Sequence, residues 1–247
     1  MATVSTGPLA GAVAVVTGAS GRLGPVWIGA LAEAGATVVG VDLQEGERVV
    51  AADVTDRAAL DAARERIEAG YGTPDVLVNN AGIDQPPDPA AGGAETLEGF
   101  RRTVDVNLAG TFNAIQAFGP AMVAAGRGSI VNLGSLYATV APEPRFYDHL
   151  PGFVKPAAYA ASKAGVLQLT RYFARLWGPH GVRVNALSPG GVRGGQDPEF
   201  LAKYNARVPL GRMAEPGDLR GPLVFLASDA SRYVTGHELR VDGGFTA

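Results

Sequence analysis

Tyr159 and Lys163 stand four residues apart in a stretch, Ala157–Trp177, that reads as a long helix with Pro156 suited to its first turn. That spacing puts both side chains on one helix face. A free tyrosine titrates near ~10. A neighbouring ammonium favours the phenolate and lowers that value. A phenol tuned toward working pH can exchange a proton with an oxygen atom. The chemistry such a pair suits is one in which a proton moves on or off an oxygen atom. The same spacing also occurs as a plain surface pair, so it counts only in company.

A second element of chemistry lies near the start. A strand-like run, Val13–Thr17, leads into Thr17-Gly18-Ala19-Ser20-Gly21-Arg22-Leu23-Gly24 and then into a helical stretch from about Leu23 to Ala34. Strand, glycine turn and helix form the context of a dinucleotide site. Gly18 permits the tight turn, Gly21 lets backbone approach a pyrophosphate, and Gly24 allows helix to pack on strand. The helix start offers N–H groups and a positive dipole end to phosphates. An ordinary glycine loop is the alternative. Asp42 ends the next strand, Thr37–Asp42, 18 residues after Gly24. A carboxylate there can accept both hydroxyls of an adenosine ribose and repels a 2′-phosphate. Leu43 follows it, so no basic side chain receives that phosphate. This favours NAD over NADP, although Asp42 is also a common type of turn residue. Arg22 is the contrary hint, able to reach a 2′-phosphate or the pyrophosphate.

The elements that must position these groups alternate along the chain. Strand-like runs at Arg48–Ala52, Val76–Asn79, Ser129–Leu133, Val182–Leu187 and His237–Val241 join the two already named. Helical stretches lie between them at Asp56–Gly70 and from about Thr96 to Ala125. Short, Val-rich strands without polar alternation suit a parallel sheet covered on both sides. The pattern predicts an α/β fold: a doubly wound, Rossmann-like parallel sheet with helices on both faces, in a single domain over residues 1–247.

Composition removes other classes. Of 247 residues, 47% are hydrophobic and the formal net charge is −3, which disfavours disorder. With 21 Lys+Arg against 24 Asp+Glu there is no basic excess for nucleic acid. The absence of cysteine removes disulfides, thiolate catalysis and Cys-based metal sites, and the three histidines, His149, His180 and His237, show no metal-binding spacing. No apolar stretch approaches the ~20 residues of a membrane span. Met1–Pro8 lacks the pattern of a secretory signal, so a cytoplasmic protein is expected.

With these residues in view the sequence resembles the short-chain dehydrogenase/reductase family, in its compact single-domain branch. The resemblance runs over nearly the whole chain. Its motifs, in order, are the Thr17–Gly24 turn, Asp53-Val54, Asn79-Asn80-Ala81-Gly82, Asn107 in Val106–Gly110, Ser135, Tyr159-x-x-x-Lys163, Pro189-Gly190 and Val241-Asp242-Gly243-Gly244. Each is weak alone; their joint order is specific. The resemblance implies a catalytic tetrad of Asn107, Ser135, Tyr159 and Lys163. Ser135 would hydrogen-bond the substrate oxygen, Tyr159 would act as general acid/base, Lys163 would also contact the nicotinamide ribose, and Asn107 would hold a water that links the lysine to solvent. It implies a cofactor groove formed by Gly18, Ser20, Gly21, Arg22, Leu23, Asp42, Asp53, Val54, Asn80, Gly82, Tyr159, Lys163, Pro189, Gly190 and Val192. Asp53 and Val54 would flank the adenine, and the Pro189–Val192 stretch would lie beside the carboxamide. Two positions depart from the branch: Arg22 stands at its usual second glycine, and Gly194 stands at a common threonine. The resemblance also implies a homotetramer, less often a dimer, assembled through the Thr96–Ala125 and Ala157–Trp177 helices and the last strand.

Ser135 and Tyr159 are 24 positions apart, a longer gap than the family commonly has. The extra material, Ala141–Pro156, and a second variable segment, Arg193–Arg207, are placed by the resemblance beside the substrate. Both are rich in hydrogen-bonding groups, which a polyhydroxylated substrate needs and an apolar one does not. The expected substrate is a sugar, polyol or sugar acid, with Arg145, His149, Arg193 and Gln196 as candidate contacts. For any single one of these, a solvated loop residue is the alternative. Rival readings are a 3-oxoacyl thioester reductase, a sugar epimerase and a catalytically silent dinucleotide sensor. Asp42 and the acidic balance oppose the first, the compact length opposes the second, and the intact Tyr159–Lys163 pair opposes the third.

Overall fold

The computed structural model describes residues 7–88 and 94–247. The N-terminal expectation drawn from Met1–Pro8 falls mostly on residues 1–6, outside the described residues. Seven strands form one sheet: β1 (Val13–Thr17), β2 (Thr37–Asp42), β3 (Val49–Ala51), β4 (Val76–Asn79), β5 (Gly128–Leu133), β6 (Val182–Pro189) and β7 (Glu238–Val241). Their order is β3-β2-β1-β4-β5-β6-β7. Every pairing is parallel, with Val16 opposite both Gly40 of β2 and Val78 of β4. The chain winds outward from β1 in one direction through β2 and β3, then in the other from β4. The crevice beyond the carboxyl ends of β1 and β4 is therefore the topological switch point, where doubly wound sheets bind ligands.

The strand sequences explain the two covered faces. Val15, Leu77, Ile130 and Val184 pack on one side with Leu60, Ile67, Phe118, Phe173 and Trp177. Ala14, Val16, Val78, Val131 and Leu187 pack on the other with Trp27, Leu31, Leu219 and Leu223. Both faces are buried, so the strands read as unbroken apolar runs.

The helices are α1 (Gly24–Glu33), α2 (Arg57–Tyr71), α3 (Leu97–Val104), α4 (Gly110–Ala125), α5 (Ala157–Trp177), α6 (Pro198–Arg207) and α7 (Arg220–Ala227). Asp56 caps α2 by accepting from the N–H groups of Ala58 (2.9 Å) and Ala59 (3.1 Å). The stretch read as one helix from Thr96 is two, α3 and α4, joined by a wider π-helical turn at Asp105–Ala109 that carries Asn107. Two helices are additions to the expected elements. α6 lies inside the segment read only as variable, and α7 covers the sheet beside α1. A third apolar cluster unites Leu136, Phe146, Phe200, Tyr204, Met213 and Phe245 above the sheet's carboxyl edge. No described helix is long and apolar enough to cross a membrane.

Candidate active site

A cleft of about 360 Å³ opens at the carboxyl ends of β1, β4, β5 and β6. Six of the residues lining it are glycines, Gly18, Gly21, Gly82, Gly134, Gly190 and Gly191, which leaves bare backbone along part of its wall. A long flat ligand can lie close against such walls. Gly18 takes φ +65°, and a Cβ there would sit 2.7 Å from Ala81 Cα, so only glycine makes this turn. A Cβ on Gly24 would collide with the Ala19 carbonyl, so α1 packs on its strand only with glycine at that place. Asn80 fixes the turn from the side. Its Nδ2 donates to the carbonyls of Thr17 (3.1 Å) and Gly18 (2.8 Å), while its Oδ1 accepts from the buried Trp27 indole (2.7 Å). Asn80 thus positions the glycine turn as well as lining the cleft. No side chain caps the start of α1, the arrangement in which a helix end receives an anion.

Three of the four sequence-predicted catalytic residues line the floor, and Asn107 lies buried behind Gly82. Ser135 follows β5, and Tyr159 and Lys163 project from one face of α5 into the cleft. Lys163 Nζ donates to the Leu133 carbonyl at 2.7 Å and lies 5.8 Å from the Tyr159 ring centre. Asn107 is fully buried. Its Oδ1 accepts from Ile83 N (2.7 Å), and its Nδ2 donates to Ile83 O (2.9 Å) and to Ser162 Oγ (3.1 Å). Ser162 Oγ in turn donates to the Tyr159 carbonyl at 2.8 Å. The asparagine side chain therefore ties the loop after β4 to the helix that carries the tyrosine.

The ionisation of Tyr159 differs from the expectation of a lowered value. Burial, and then the negative charge of Asp84, push it up to about 12; the hydrogen bond with Ser135 pulls the other way. Burial pulls Lys163 down to about 8 against an opposing pull from Asp84. Burial dominates both groups in this cleft because the charged form of each loses solvent.

Asp84 and Lys155 were not singled out as site residues from sequence, yet both line the cleft. They form an ion pair, and Lys155 Nζ stands 5.6 Å from the centre of the Tyr159 ring. Tyr137 and Tyr147 line the same wall with their hydroxyls 3.2 Å apart. The available signal was position: Asp84 follows the Asn79–Gly82 motif by two residues, and Lys155 lies in the extra material before Tyr159.

The other predicted contacts are distributed as follows. Gly18, Gly21, Arg22, Leu23, Asn80, Gly82, Pro189, Gly190, Val192 and Gln196 line the cleft. Ser20, Asp42, Asp53 and Val54 lie outside that lining. Asp42 accepts from the N–H groups of Ser20 and Leu43, both at 2.7 Å, which places its carboxylate beside the glycine turn. Asp53 accepts from Thr55 N and Oγ1 at 2.8 Å, and the Val54 carbonyl accepts from Asn113 Nδ2 at 3.0 Å. Arg145 is 83% exposed and pairs with Glu143. Arg193 is 64% exposed and lies 3.5 Å from Glu215. Neither lines the cleft. His149 Nε2 bonds Asp197 Oδ1 at 2.8 Å and its Nδ1 lies 3.2 Å from Lys203 Nζ, which joins the inserted loop to α6. Asp148, His149 and Glu199 are grouped as metal ligands could be. The Lys203 ammonium pairs with both carboxylates of that group, so it already holds a cation of its own.

An enoyl-(acyl carrier protein) reductase model of the short-chain dehydrogenases matches residues 24–246. The chain belongs to the short-chain dehydrogenase/reductase family. As a member it is an oxidoreductase of CH–OH groups that binds a nicotinamide dinucleotide. It is 42% identical over 201 residues to galactitol 2-dehydrogenase (L-tagatose-forming) of Cereibacter sphaeroides, which covers 79% of this chain and 74% of that one. It is 38% identical over 208 residues to D-threitol dehydrogenase of Mycolicibacterium smegmatis, covering 79% and 72%. A 3-oxoacyl-[acyl-carrier-protein] reductase of Thermotoga maritima matches at 37% over 196 residues, covering 78% and 74%. Among solved structures, a gluconate 5-dehydrogenase of Burkholderia cenocepacia in complex with NADP and tartrate superposes with a TM-score of 0.85 at 33% identity, covering 96% of both chains. A short-chain dehydrogenase of Leptospira borgpetersenii with bound NAD+ gives 0.86 at 35%, covering 96% and 93%.

Proposed function

We propose that the chain is an NAD-dependent dehydrogenase that oxidises a secondary hydroxyl, or a sugar hemiacetal, of a polyol or sugar. The observation that carries this reading is the Asp84–Lys155 ion pair facing Tyr159 across the cleft. A carboxylate accepts from substrate hydroxyls and an ammonium donates to them, so the pair can hold adjacent hydroxyls on a sugar chain. The galactitol and threitol relatives point the same way. Tyr159 takes the hydroxyl proton, Ser135 donates to the same oxygen, and Lys163 favours the phenolate while the carbonyl forms. A bound oxidised nicotinamide supplies the hydride acceptor. The glycine-lined cleft, the uncapped start of α1 and the Asp42 carboxylate beside the glycine turn fit such a dinucleotide.

The preference for NAD rests on Asp42 and on where Arg22 goes. Arg22 Nη2 donates to Val192 O, in the loop after β6. β2, which ends at Asp42, and β6 are four strand spacings apart, about 19 Å at ~4.8 Å each. A guanidinium at the β6 loop does not serve a 2′-phosphate at Asp42. The chain works, in this reading, as one catalytic domain and as a homotetramer in the cytoplasm. Exposed Phe112 on α4 and exposed Tyr172 and Leu176 on α5 suit burial between subunits.

The test is NAD+ reduction over a panel of polyols, aldoses, sugar acids and apolar secondary alcohols, with Tyr159→Phe as the blank. Turnover of polyols or sugars, lost in the variant, supports the reading. Turnover confined to apolar alcohols overturns the substrate class. NADPH-dependent reduction of a 3-oxoacyl thioester, with no polyol activity, replaces the reading with that of the Thermotoga relative.

A further inference from the structure

The two departures from the family pattern meet in space. Arg22 reaches from the glycine turn across the cleft, and its Nη2 donates to the Val192 carbonyl at 2.7 Å. A Cβ built on Gly194 would lie within 2.7 Å of the guanidinium Nη2, Cζ and Nε. The side chain missing at 194 is thus the space the arginine occupies. Among the described residues, nine arginines pair with carboxylates and eight besides Arg22 do not, but of those eight none lines the cleft. Arg22, among the described residues, forms no ion pair, and its bond to Val192 is its one hydrogen bond. An uncompensated guanidinium with unused N–H donors therefore lines the cleft at the phosphate loop. The Val192 carbonyl also accepts from Gln196 Nε2 at 2.9 Å, and Gln196 Oε1 accepts from Gly194 N at 2.7 Å. The segment Arg22 grips is the one that leads into α6.

We propose that Arg22 and Gly194 form a clasp for the cofactor's pyrophosphate. The guanidinium, seated in the space that Gly194 leaves, gives charge-assisted hydrogen bonds to phosphate oxygens. Its bond to Val192 ties the occupied cofactor site to the segment bearing Gln196 and α6. The clasp rests on dinucleotide binding and not on the identity of the substrate. Arginine at 22 requires glycine at 194, so the two departures are one change made at two positions.

Isothermal titration of NAD+, NADP+, ADP-ribose and adenosine tests this on the wild type, Arg22→Gly, Gly194→Thr and the double variant. Arg22→Gly weakens NAD+, NADP+ and ADP-ribose alike, by roughly ten- to hundredfold, the range for a hydrogen bond to a charged group. Adenosine binding stays unchanged, which also shows the variant is folded. Gly194→Thr alone weakens the same three ligands by displacing the guanidinium. In the Arg22→Gly background it costs nothing further, so the two losses do not add. A loss confined to NADP+ overturns the clasp in favour of a 2′-phosphate contact. Additive losses, or unchanged binding in every variant, overturn it as well. A wild type that binds dinucleotide yet oxidises no polyol leaves the clasp standing and removes only the proposed substrate; one that binds no dinucleotide removes both.

Discussion

Asp84 raises the pKa of Tyr159 and opposes the fall in that of Lys163. Oxidation needs the phenolate, so its rate rises with pH. Asp84→Asn removes the charge that disfavours the phenolate and leaves Lys155 unpaired beside the ring. The rising limb of the kcat/KM profile is expected at lower pH in that variant; an unmoved limb contradicts the assignment. Lys155→Ala is expected to raise KM for polyols about tenfold or more, with kcat less affected, in steady-state assays. The buried lysine also marks stability. Its folded pKa of about 8 lies below its usual value of 10.5. Between those values the unfolded chain binds the extra proton, so this group makes stability rise with pH. Tyr159, raised from 10 to about 12, acts in the opposite sense only above pH 10. From pH 8 to 10, therefore, urea midpoints of the wild type should rise relative to those of Lys163→Met. That Asn107, Ser135, Tyr159 and Lys163 come together was legible because they keep the family's order along the chain. Asp84 and Lys155 were not, because an ion pair between residues 71 positions apart leaves no trace in spacing. Arg145, His149 and Arg193 sit in the loops the sequence pointed to, but each has an acidic partner there that sequence does not reveal.

The strands were legible almost to the residue, since turns of Gly, Asp and Asn bound each Val-rich run. β3 is shorter than expected because Arg48 takes φ +54°, outside the extended range, and the ladder starts after it. α6 carried a start signal that went unread: Asp197 accepts from Phe200 N at 2.9 Å as its N-cap, and Pro198 fills the first turn. α7 offered little, since eight residues give barely two turns and Pro222 stands among them. The π-helical turn at Asp105–Ala109 had no signature at all, because its residues suit an α-helix equally well. What makes it is tertiary: Asn107 is held by Ile83 and Ser162. Packing between α4 and α5 is tight at Gly119, where a Cβ would strike the Trp177 ring. Gly119→Ala should cost about 1–3 kcal/mol in chemical denaturation and leave cofactor affinity unchanged. Equal stability would mean that the two helices separate more easily than their contact implies.

At the scale of the molecule, strand order makes the site. The switch between β1 and β4 opens the crevice, and the loops after β4, β5 and β6 bring Asp84, Ser135 and Gly190 to it. Sedimentation is expected to give the mass of four chains. Tyr172→Glu, on the exposed face of α5, should shift it toward smaller species; a wild-type mass of one chain contradicts the assembly. The cluster above the sheet has a consequence for any exchange of loops between relatives. Phe146, from the stretch that lengthens the Ser135–Tyr159 gap, packs edge-on against Phe200 and tilted against Tyr204 of α6, at 6.2 and 5.8 Å between ring centres. His149 is bonded to Asp197 at the start of the same helix. Each stretch supplies apolar surface to the other, and Leu136 and Phe245 complete the cluster. A graft of residues 141–156 alone into a shorter relative would strip Phe146 of its contacts with α6, whereas residues 141–156 and 193–213 moved together keep them. The inserted stretch and α6 therefore work as one packed unit, and a change to either is felt by the other.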